Sequence, residues 1–167
     1  MRELILKMSM SLDGFVGSPD GEIKWVFDSD PQATAWTVKT VWNASLHIMG
    51  SRTFRGPAIL KTVNTTAALK EDGDSWKKAH VASGDLAEEV AKLKAQDGKP
   101  IVAHGGAGFA RSLVARGLVD QYDLLVHPVA LGKGLPIFSD LTLPKPLKLI
   151  SSTAFPKGSV AQIYRPA

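Results

Sequence analysis

The chain has 167 residues, a mass of 17.9 kDa and an ordinary globular composition, with 44% hydrophobic and 22% charged residues. This composition excludes a mainly disordered chain, and a chain of this length can bury roughly two thirds of its unfolded surface, so we expect one domain over residues 1–167. The lack of cysteine excludes disulfides, thiol nucleophiles and Cys-ligated metal clusters.

The net charge of +4 comes from scattered basic residues, and the longest basic run is the pair Lys77-Lys78. This scatter indicates a solvated surface and predicts no nucleic-acid partner. No apolar stretch approaches the roughly 20 residues of a membrane-spanning helix. The first seven residues hold only a short apolar core, whereas a secretory signal needs a longer one. We therefore expect a cytoplasmic protein with no membrane contact.

The first half of the chain alternates strand and helix patterns. Residues 3–10 are apolar on both sides, as in a buried strand. Asp30-Pro31 starts a helix to about residue 44, because Asp caps free amides and Pro suits the first turn. We expect Ala35, Trp36 and Trp42 of this helix to be partly buried. A strand at Leu46–Met49 leads to a helix entry at Ser51-Arg52-Thr53. The later expectations are a helix break at Gly56-Pro57, a strand over 59–63, a polar loop over 71–75 and a short strand near Val81.

The second half continues the alternation and ends in β structure. Asp85 caps a helix with Glu88 three residues on, which is a capping-box pattern. A buried strand over 101–103 precedes a glycine-rich turn and a second helix that ends near Gly117. The remaining expectations are a strand over 122–129 and a hairpin made of 147–155 and 160–164. Alternating strands and helices predict an α/β fold: a mostly parallel sheet flanked by helices, with a C-terminal antiparallel hairpin.

The glycine-rich turn His104-Gly105-Gly106-Ala107-Gly108 joins a strand to a helix. Glycines let a ligand approach the backbone closely, and a helix amino end offers free N–H groups for a phosphate. A tight turn that binds nothing explains the same pattern, and both interpretations stay open. The pattern matches neither the dinucleotide fingerprint G-x-G-x-x-G nor a P-loop.

Two further polar clusters follow strands. Gly50-Ser51-Arg52-Thr53 combines a glycine, a hydroxyl and an arginine that can pair with phosphate, although a capped helix with a surface arginine is the alternative. Asn64-Thr65-Thr66 follows the strand over 59–63. Ligands of open α/β sheets bind at the carboxyl ends of the strands, so three such clusters together indicate a binding site. The four histidines, at 47, 80, 104 and 127, have no metal-ligand spacing, and we expect no metal site.

Two carboxylates are candidate catalytic residues, and each has a structural alternative. Asp13, in Ser11-Leu12-Asp13-Gly14 after the first strand, is either a site carboxylate or a turn former. Asp30 is either an acid at the start of the first long helix or only its cap. His104 and His127 are further candidates for a proton donor, because histidine titrates near neutral pH.

Several of these segments carry a family resemblance. The stretch 8–17, Met-Ser-Met-Ser-Leu-Asp-Gly-Phe-Val-Gly, resembles the start of proteins of the dihydrofolate-reductase-like superfamily. The branch that it resembles is that of stand-alone proteins similar to the reductase domain of bacterial riboflavin biosynthesis. Met49-Gly50-Ser51-Arg52-Thr53-Phe54 is similar to that family's "MGR-x-T-Y/W". The motifs at 83–86, 104–106, 117–120, 127–129 and 131–134 follow in the family's order, so the resemblance spans nearly the whole chain.

The resemblance implies a dihydrofolate-reductase fold, a homodimer and an NADPH-dependent reductase that transfers hydride to a small heterocycle or another conjugated acceptor. It also implies that 11–17 covers the nicotinamide, with Asp13 facing the substrate, and that 126–134 shapes the cleft or a dimer contact. Trp25, five residues before Asp30, resembles the arrangement of dihydrofolate reductase itself. The cofactor-binding residues that it implies are Gly50, Ser51, Arg52, Thr53, Asn64, Thr65, Thr66, Gly105, Gly106, Ala107 and Gly108.

The chain departs from the family pattern at one cofactor position. Ser51 stands where the family has arginine, and Arg52 follows one residue later, which turns it by about 100° around a helix. NADH is therefore a possible cofactor beside NADPH. The alternative function is a non-catalytic protein that binds a nucleotide or another small ligand in the same pocket. The sequence has no basic pair placed like the substrate-phosphate anchors of the riboflavin enzyme, so it does not assign that substrate.

Overall fold

The computed structural model of the chain describes residues 1–28, 30–50, 53, 82 and 84–167. The elements within these ranges are β1 (Leu4–Ser11), a 3-10 helix (Lys24–Phe27), α1 (Pro31–Trp42), β2 (Leu46–Met49), α2 (Leu86–Ala95), β3 (Ile101–His104), α3 (Ala107–Ala115), β4 (Gln121–His127), β5 (Leu147–Ala154) and β6 (Val160–Pro166). The expected helix break at Gly56-Pro57, the strands over 59–63 and near Val81 and the loop over 71–75 lie outside the described residues. None of the described helices has the length and apolar character to cross a bilayer.

The six described strands form one sheet in the order β2-β3-β1-β4-β6-β5. The first four strands of this order run parallel to one another, whereas β6 is antiparallel to both β4 and β5. The predicted α/β class, the mostly parallel sheet and the C-terminal hairpin are therefore confirmed. Strand ends differ from the expectation by one or two residues, as at β4, which ends at His127 instead of residue 129.

One face of the sheet, which we call the apolar face, holds the main core. On β1 it presents Leu4, Leu6, Met8 and Met10, and helices α2 and α3 cover it. Leu113 and Val114 of α3, among others, are buried against it. Burial of this apolar surface is the main stabilising contribution to the fold.

The opposite face, which we call the polar face, has a different composition. Its β1 residues are Ile5, Lys7, Ser9 and Ser11, since successive side chains of a strand point to opposite sides. Helix α1 covers only part of it, through a small apolar cluster of Ala33 and Trp36 with Leu125, Phe155 and Ala161. The expected partial burial of α1 residues is confirmed for Trp36 and is wrong for Ala35 and Trp42, which are exposed. Ala33 is the residue of α1 that is buried.

The helices α1 and α2 begin as their sequences predict. Asp30 accepts a hydrogen bond from Ala33 N at 2.8 Å, and Asp85 accepts one from Ala87 N at 2.8 Å and one from Glu88 N at 3.3 Å. Each carboxylate satisfies amides that the helix itself cannot pair. Helix α3 differs, because its N-cap is Gly106 and no side chain caps it.

Candidate functional site

The sheet order places the carboxyl ends of four parallel strands side by side. The turn after β2, the glycine-rich turn after β3, the loop after β1 and the end of β4 therefore share one edge of the sheet. Most of the predicted site residues that the structure describes lie there: Gly50, Thr53, Gly105, Gly106, Ala107, Gly108 and Asp13. Ser51, Arg52, Asn64, Thr65 and Thr66 lie outside the described residues, and their roles stay predictions.

The turns after β2 and β3 are packed directly against each other. A Cβ atom on Gly50 would lie 2.9 Å from Phe109 Cβ, and one on Gly105 would lie 2.9 Å from Thr53 Cγ2. A Cβ atom on Gly106 would lie 3.1 Å from Thr53 Oγ1, and Gly106 also has a φ of 80°. The reason that sequence analysis gave for these glycines was close approach of a ligand. In the structure, contact between the two turns already requires glycine at all three positions.

Within the described residues, no side chain caps the amino end of α3 beside this contact. Gly108, in the first turn, is exposed, and the nearest atom to a Cβ at this position would be an arginine nitrogen 4.0 Å away. The first intrahelical bond is donated by Ala110 N to Gly106 O at 2.9 Å, which leaves the amides of the first turn without an intrahelical partner. Free amides and the helix dipole together favour an anion such as a phosphate at this end.

Asp13 fastens two loops together. Its carboxylate accepts hydrogen bonds from Ser11 Oγ at 2.6 Å, from Leu131 N at 3.0 Å and from Gly132 N at 2.7 Å. The hydrogen bond from Ser11, followed by those from the two amides, lowers the pKa of Asp13, so the carboxylate is ionised at neutral pH. The structure thus brings the loop over 11–17 into contact with the loop over 126–134. The expected role of Asp13 toward a substrate stays a prediction.

Asp30 is placed as the cap of α1 and is buried. Besides Ala33 N, its carboxylate accepts a hydrogen bond from Lys157 N at 3.2 Å, which ties the helix start to the turn before β6. The bond from Ala33 is the main reason that the pKa of Asp30 is lowered. An ionised carboxylate that two amides hold does not supply a proton at neutral pH. Its capping role is therefore what the geometry explains, and its catalytic role stays a prediction.

Lys7 is a buried lysine on the polar face that sequence analysis did not select. It pairs across the sheet with His104 on one side and with Asp123 on the other. Its side chain is 9% exposed, and its ammonium has no hydrogen-bond or ion-pair partner among the described residues. Burial lowers the pKa of Lys7 to about 8, against the attraction of Asp123. The available signal was a lysine in the middle of a strand that the sequence predicts to be buried.

His104 connects Lys7 to the glycine-rich turn. It ends β3 next to Gly105, and its Nε2 lies 2.7 Å from Nδ1 of His47, whose ring stacks on it at 4.9 Å. Burial, together with the neighbouring His47 and Lys7, lowers the pKa of His104 to about 3. His104 is therefore a neutral imidazole at neutral pH, and it cannot donate a proton as an imidazolium there.

Two buried polar atoms near the ends of β1 and β4 lack partners. Trp25 packs edge-on against His127 at a ring distance of 5.3 Å, and neither Trp25 Nε1 nor His127 Nε2 has a hydrogen bond within the described part of the chain. Burial lowers the pKa of His127 to about 4, so this ring is also neutral. Buried polar groups are normally paired, so these two atoms are candidates for hydrogen bonds to a ligand.

The fold and the site together define an α/β protein of the dihydrofolate-reductase type, in which the amino end of α3 lies at the same edge of the sheet as the buried polar residues of β1, β3 and β4. The model of the RibD C-terminal domain family matches residues 59–161, and the chain belongs to that family.

Known proteins agree with this assignment. The chain is 30% identical to the uncharacterized protein YyaP of Bacillus subtilis, over 98% of this chain and 94% of that protein. The fold resembles that of a putative riboflavin biosynthesis protein from Shewanella sp. PV-4, with a TM-score of 0.74 at 18% identity over 99% of both chains. It also resembles a pyrimidine reductase-like protein from Corynebacterium diphtheriae, with a TM-score of 0.70 at 14% identity over 99% of this chain and 92% of that one. At these identities the two structures establish the fold alone.

Proposed function

We propose that the protein is a reductase that binds NADPH, with NADH as a possible substitute, and delivers hydride to a small heterocyclic or conjugated acceptor. One observation carries the proposal. The amino end of α3, with its N-cap Gly106, lies two residues after His104, and His104 pairs across the sheet with Lys7, a buried lysine that has no partner among the described residues. A helix end suited to phosphate and a cluster of buried polar groups thus lie at the same edge of the sheet, which supports a dinucleotide-dependent reductase.

The described residues fit a dinucleotide. The first-turn amides of α3 and the exposed backbone of Gly108 suit its phosphates. Thr53 and Gly50 form the adjacent wall. When it is bound, the cofactor supplies the hydride, and the chain must orient it, hold the acceptor and supply a proton.

Lys7 is the proton donor in this proposal. Its pKa of about 8 keeps it protonated at neutral pH while making proton release easy. An unpaired ammonium also attracts a carbonyl or an anionic group of the acceptor. Trp25 Nε1 and His127 Nε2 would bind further polar atoms of that acceptor. Asp13 and Asp30 then act as positioning residues, because their carboxylates hold backbone amides.

The test is a titration of the purified protein with NADPH and with NADH, followed by quenching of tryptophan fluorescence. We expect the wild-type protein to bind NADPH. Gly108→Glu should weaken binding roughly tenfold, because a carboxylate in the first turn of α3 repels the phosphates. The same charge at an exposed position of α2, Ala91→Glu, is the matched control and should leave the affinity unchanged. Lack of binding of both nucleotides to the wild-type protein would overturn the proposal.

Assembly and location belong to the same proposal. A homodimer is supported by the edge strand β5, which exposes Leu149 and Ile150 at 49% each. Light scattering should then give twice the chain mass of 17.9 kDa, and a monomer at micromolar concentration would contradict it.

We also propose a cytoplasmic location, where NADPH is available, and fractionation of cells that produce the protein tests it.

A further inference from the structure

Arg111 differs from the other arginines that the structure describes. Arg2 donates to Lys99 O at 2.9 Å and to Ser45 Oγ at 3.0 Å. Arg116 pairs with Asp85 at 2.8 Å, and Arg165 pairs with Glu3 at 3.0 Å. Arg111 has no such partner in the described part of the chain, and its Nε is buried without a hydrogen bond. A half-buried cation without a partner has a cost that packing alone does not explain.

The position of the Arg111 side chain supplies an explanation. Side chains of a helix lean toward its amino end, so a residue three positions after Gly108 lies over the first turn. Nη2 of Arg111 is 4.0 Å from the position that a Cβ atom on Gly108 would take. The guanidinium therefore lies beside the open amino end of α3. Glycine at 108 places no side chain between the guanidinium and the amides of the first turn.

We propose that Arg111 binds the pyrophosphate of the nicotinamide dinucleotide, together with the free amides of α3; this inference rests on the proposed function. Guanidinium and phosphate form paired, charge-assisted hydrogen bonds, and the planar fork of arginine suits two phosphate oxygens at once. The pyrophosphate is common to both nucleotides, so Arg111 contributes equally to the binding of NADPH and NADH.

The test compares Arg111→Gln with Arg116→Gln. Both variants remove one positive charge, from α3 in one case and from its C-cap in the other, but Arg116 already has a partner in Asp85. Titration of the full chain should show that Arg111→Gln weakens the binding of both NADPH and NADH by roughly 10- to 100-fold. Arg116→Gln should bind both as the wild-type protein does. Arg111→Lys should lose less affinity than Arg111→Gln, because lysine keeps the positive charge but lacks the planar fork of arginine.

Thermal unfolding separates binding from folding. Arg111→Gln should unfold at the same temperature as the wild-type protein or above it, because the arginine has no partner to lose. Arg116→Gln should unfold at a slightly lower temperature. A structural role for Arg111 would give the opposite order, and that result would overturn the inference.

The binding data give three further outcomes. If the wild-type protein binds neither nucleotide, the proposed function and this inference both fail. If it binds both and Arg111→Gln behaves like Arg116→Gln, only the inference fails. If Arg111→Gln weakens the binding of NADPH but not that of NADH, the assignment to the pyrophosphate is wrong, because the two nucleotides differ only at the 2′-phosphate.

Discussion

Leu6 and Lys7 are neighbours in β1, and they point to opposite faces of the same sheet. Leu6 is 1% exposed and lies in the core that α2 and α3 cover. Lys7 is almost as buried, at 9%, but its neighbours across the sheet are His104 and Asp123. The apolar face therefore stabilises the fold. The polar face holds titratable groups away from water, which costs stability and is typical of a functional site.

The largest expected effect is a loss of folding stability from a substitution on the apolar face. Leu6→Ala leaves a cavity in a core that cannot collapse fully, and it should lower the free energy of unfolding by about 2–5 kcal/mol. Urea unfolding at pH 7 measures this change. The exposed Leu143→Ala is the control and should change the stability little. A loss below about 1 kcal/mol for Leu6→Ala would show that this face is not the principal core.

A substitution of the neighbouring residue, on the polar face, should increase the stability instead of lowering it. Lys7→Met removes a buried ammonium and should raise the free energy of unfolding at pH 7 by roughly 2–3 kcal/mol, and the proposed reductase activity should be lost. Urea unfolding at pH 7 and pH 10 measures it, and the exposed Lys148→Met is the control.

The pH dependence of this gain follows from the lowered pKa. The folded state loses the Lys7 proton at about pH 8, whereas the unfolded chain keeps it up to about pH 10.5. Wild-type stability therefore rises between these values, and the gain from Lys7→Met is full below pH 8 and shrinks above it. A destabilised Lys7→Met at pH 7 would contradict the cost assigned to the polar face.

A smaller effect concerns the histidine pair. Folded His104 has a pKa of about 3, against 6.5 for an ordinary histidine, so below pH 6.5 the unfolded state binds more protons. His104 should therefore contribute about 1–2 kcal/mol to the fall in wild-type stability between pH 6.5 and pH 5, and the neutral His127 should contribute a similar amount. His104→Asn should remove its own share, which is about half of the fall. His47→Asn should remove less, because His47 is the exposed member of the pair. Equal slopes in the wild-type protein and His104→Asn would contradict the buried, neutral state of His104.

The sequence predicted the elements well where the signal is local. Apolar periodicity indicated β1 and the two helices that cover the apolar face, and the caps Asp30 and Asp85 lie at the helix starts. The family motifs indicated the fold that the comparisons confirm. The contacts of α1 were predicted less well, because its packing depends on β4 and β6, which come more than 75 residues later in the chain.

The candidate site was predicted only in part. Sequence analysis selected Gly50, Thr53, Gly105 and Gly106, and the structure does bring them together. It did not select Lys7 or Arg111, because a single charged residue in a strand or a helix has no local pattern that marks it as unpartnered. Whether a charge is paired depends on residues that are distant in sequence and adjacent in space.

The sequence by itself therefore determined the order of strands and helices, the capped helix starts and the family, because each depends on short-range chemistry or on motifs in a fixed order. Only the tertiary structure decided that Asp13 and Asp30 are held by backbone amides, while Lys7 and Arg111 have no partners among the described residues. The physical reason is that pairing and burial are set by the order of strands in the sheet. That order places His104 and Asp123 on either side of Lys7, although both follow it by more than 90 residues.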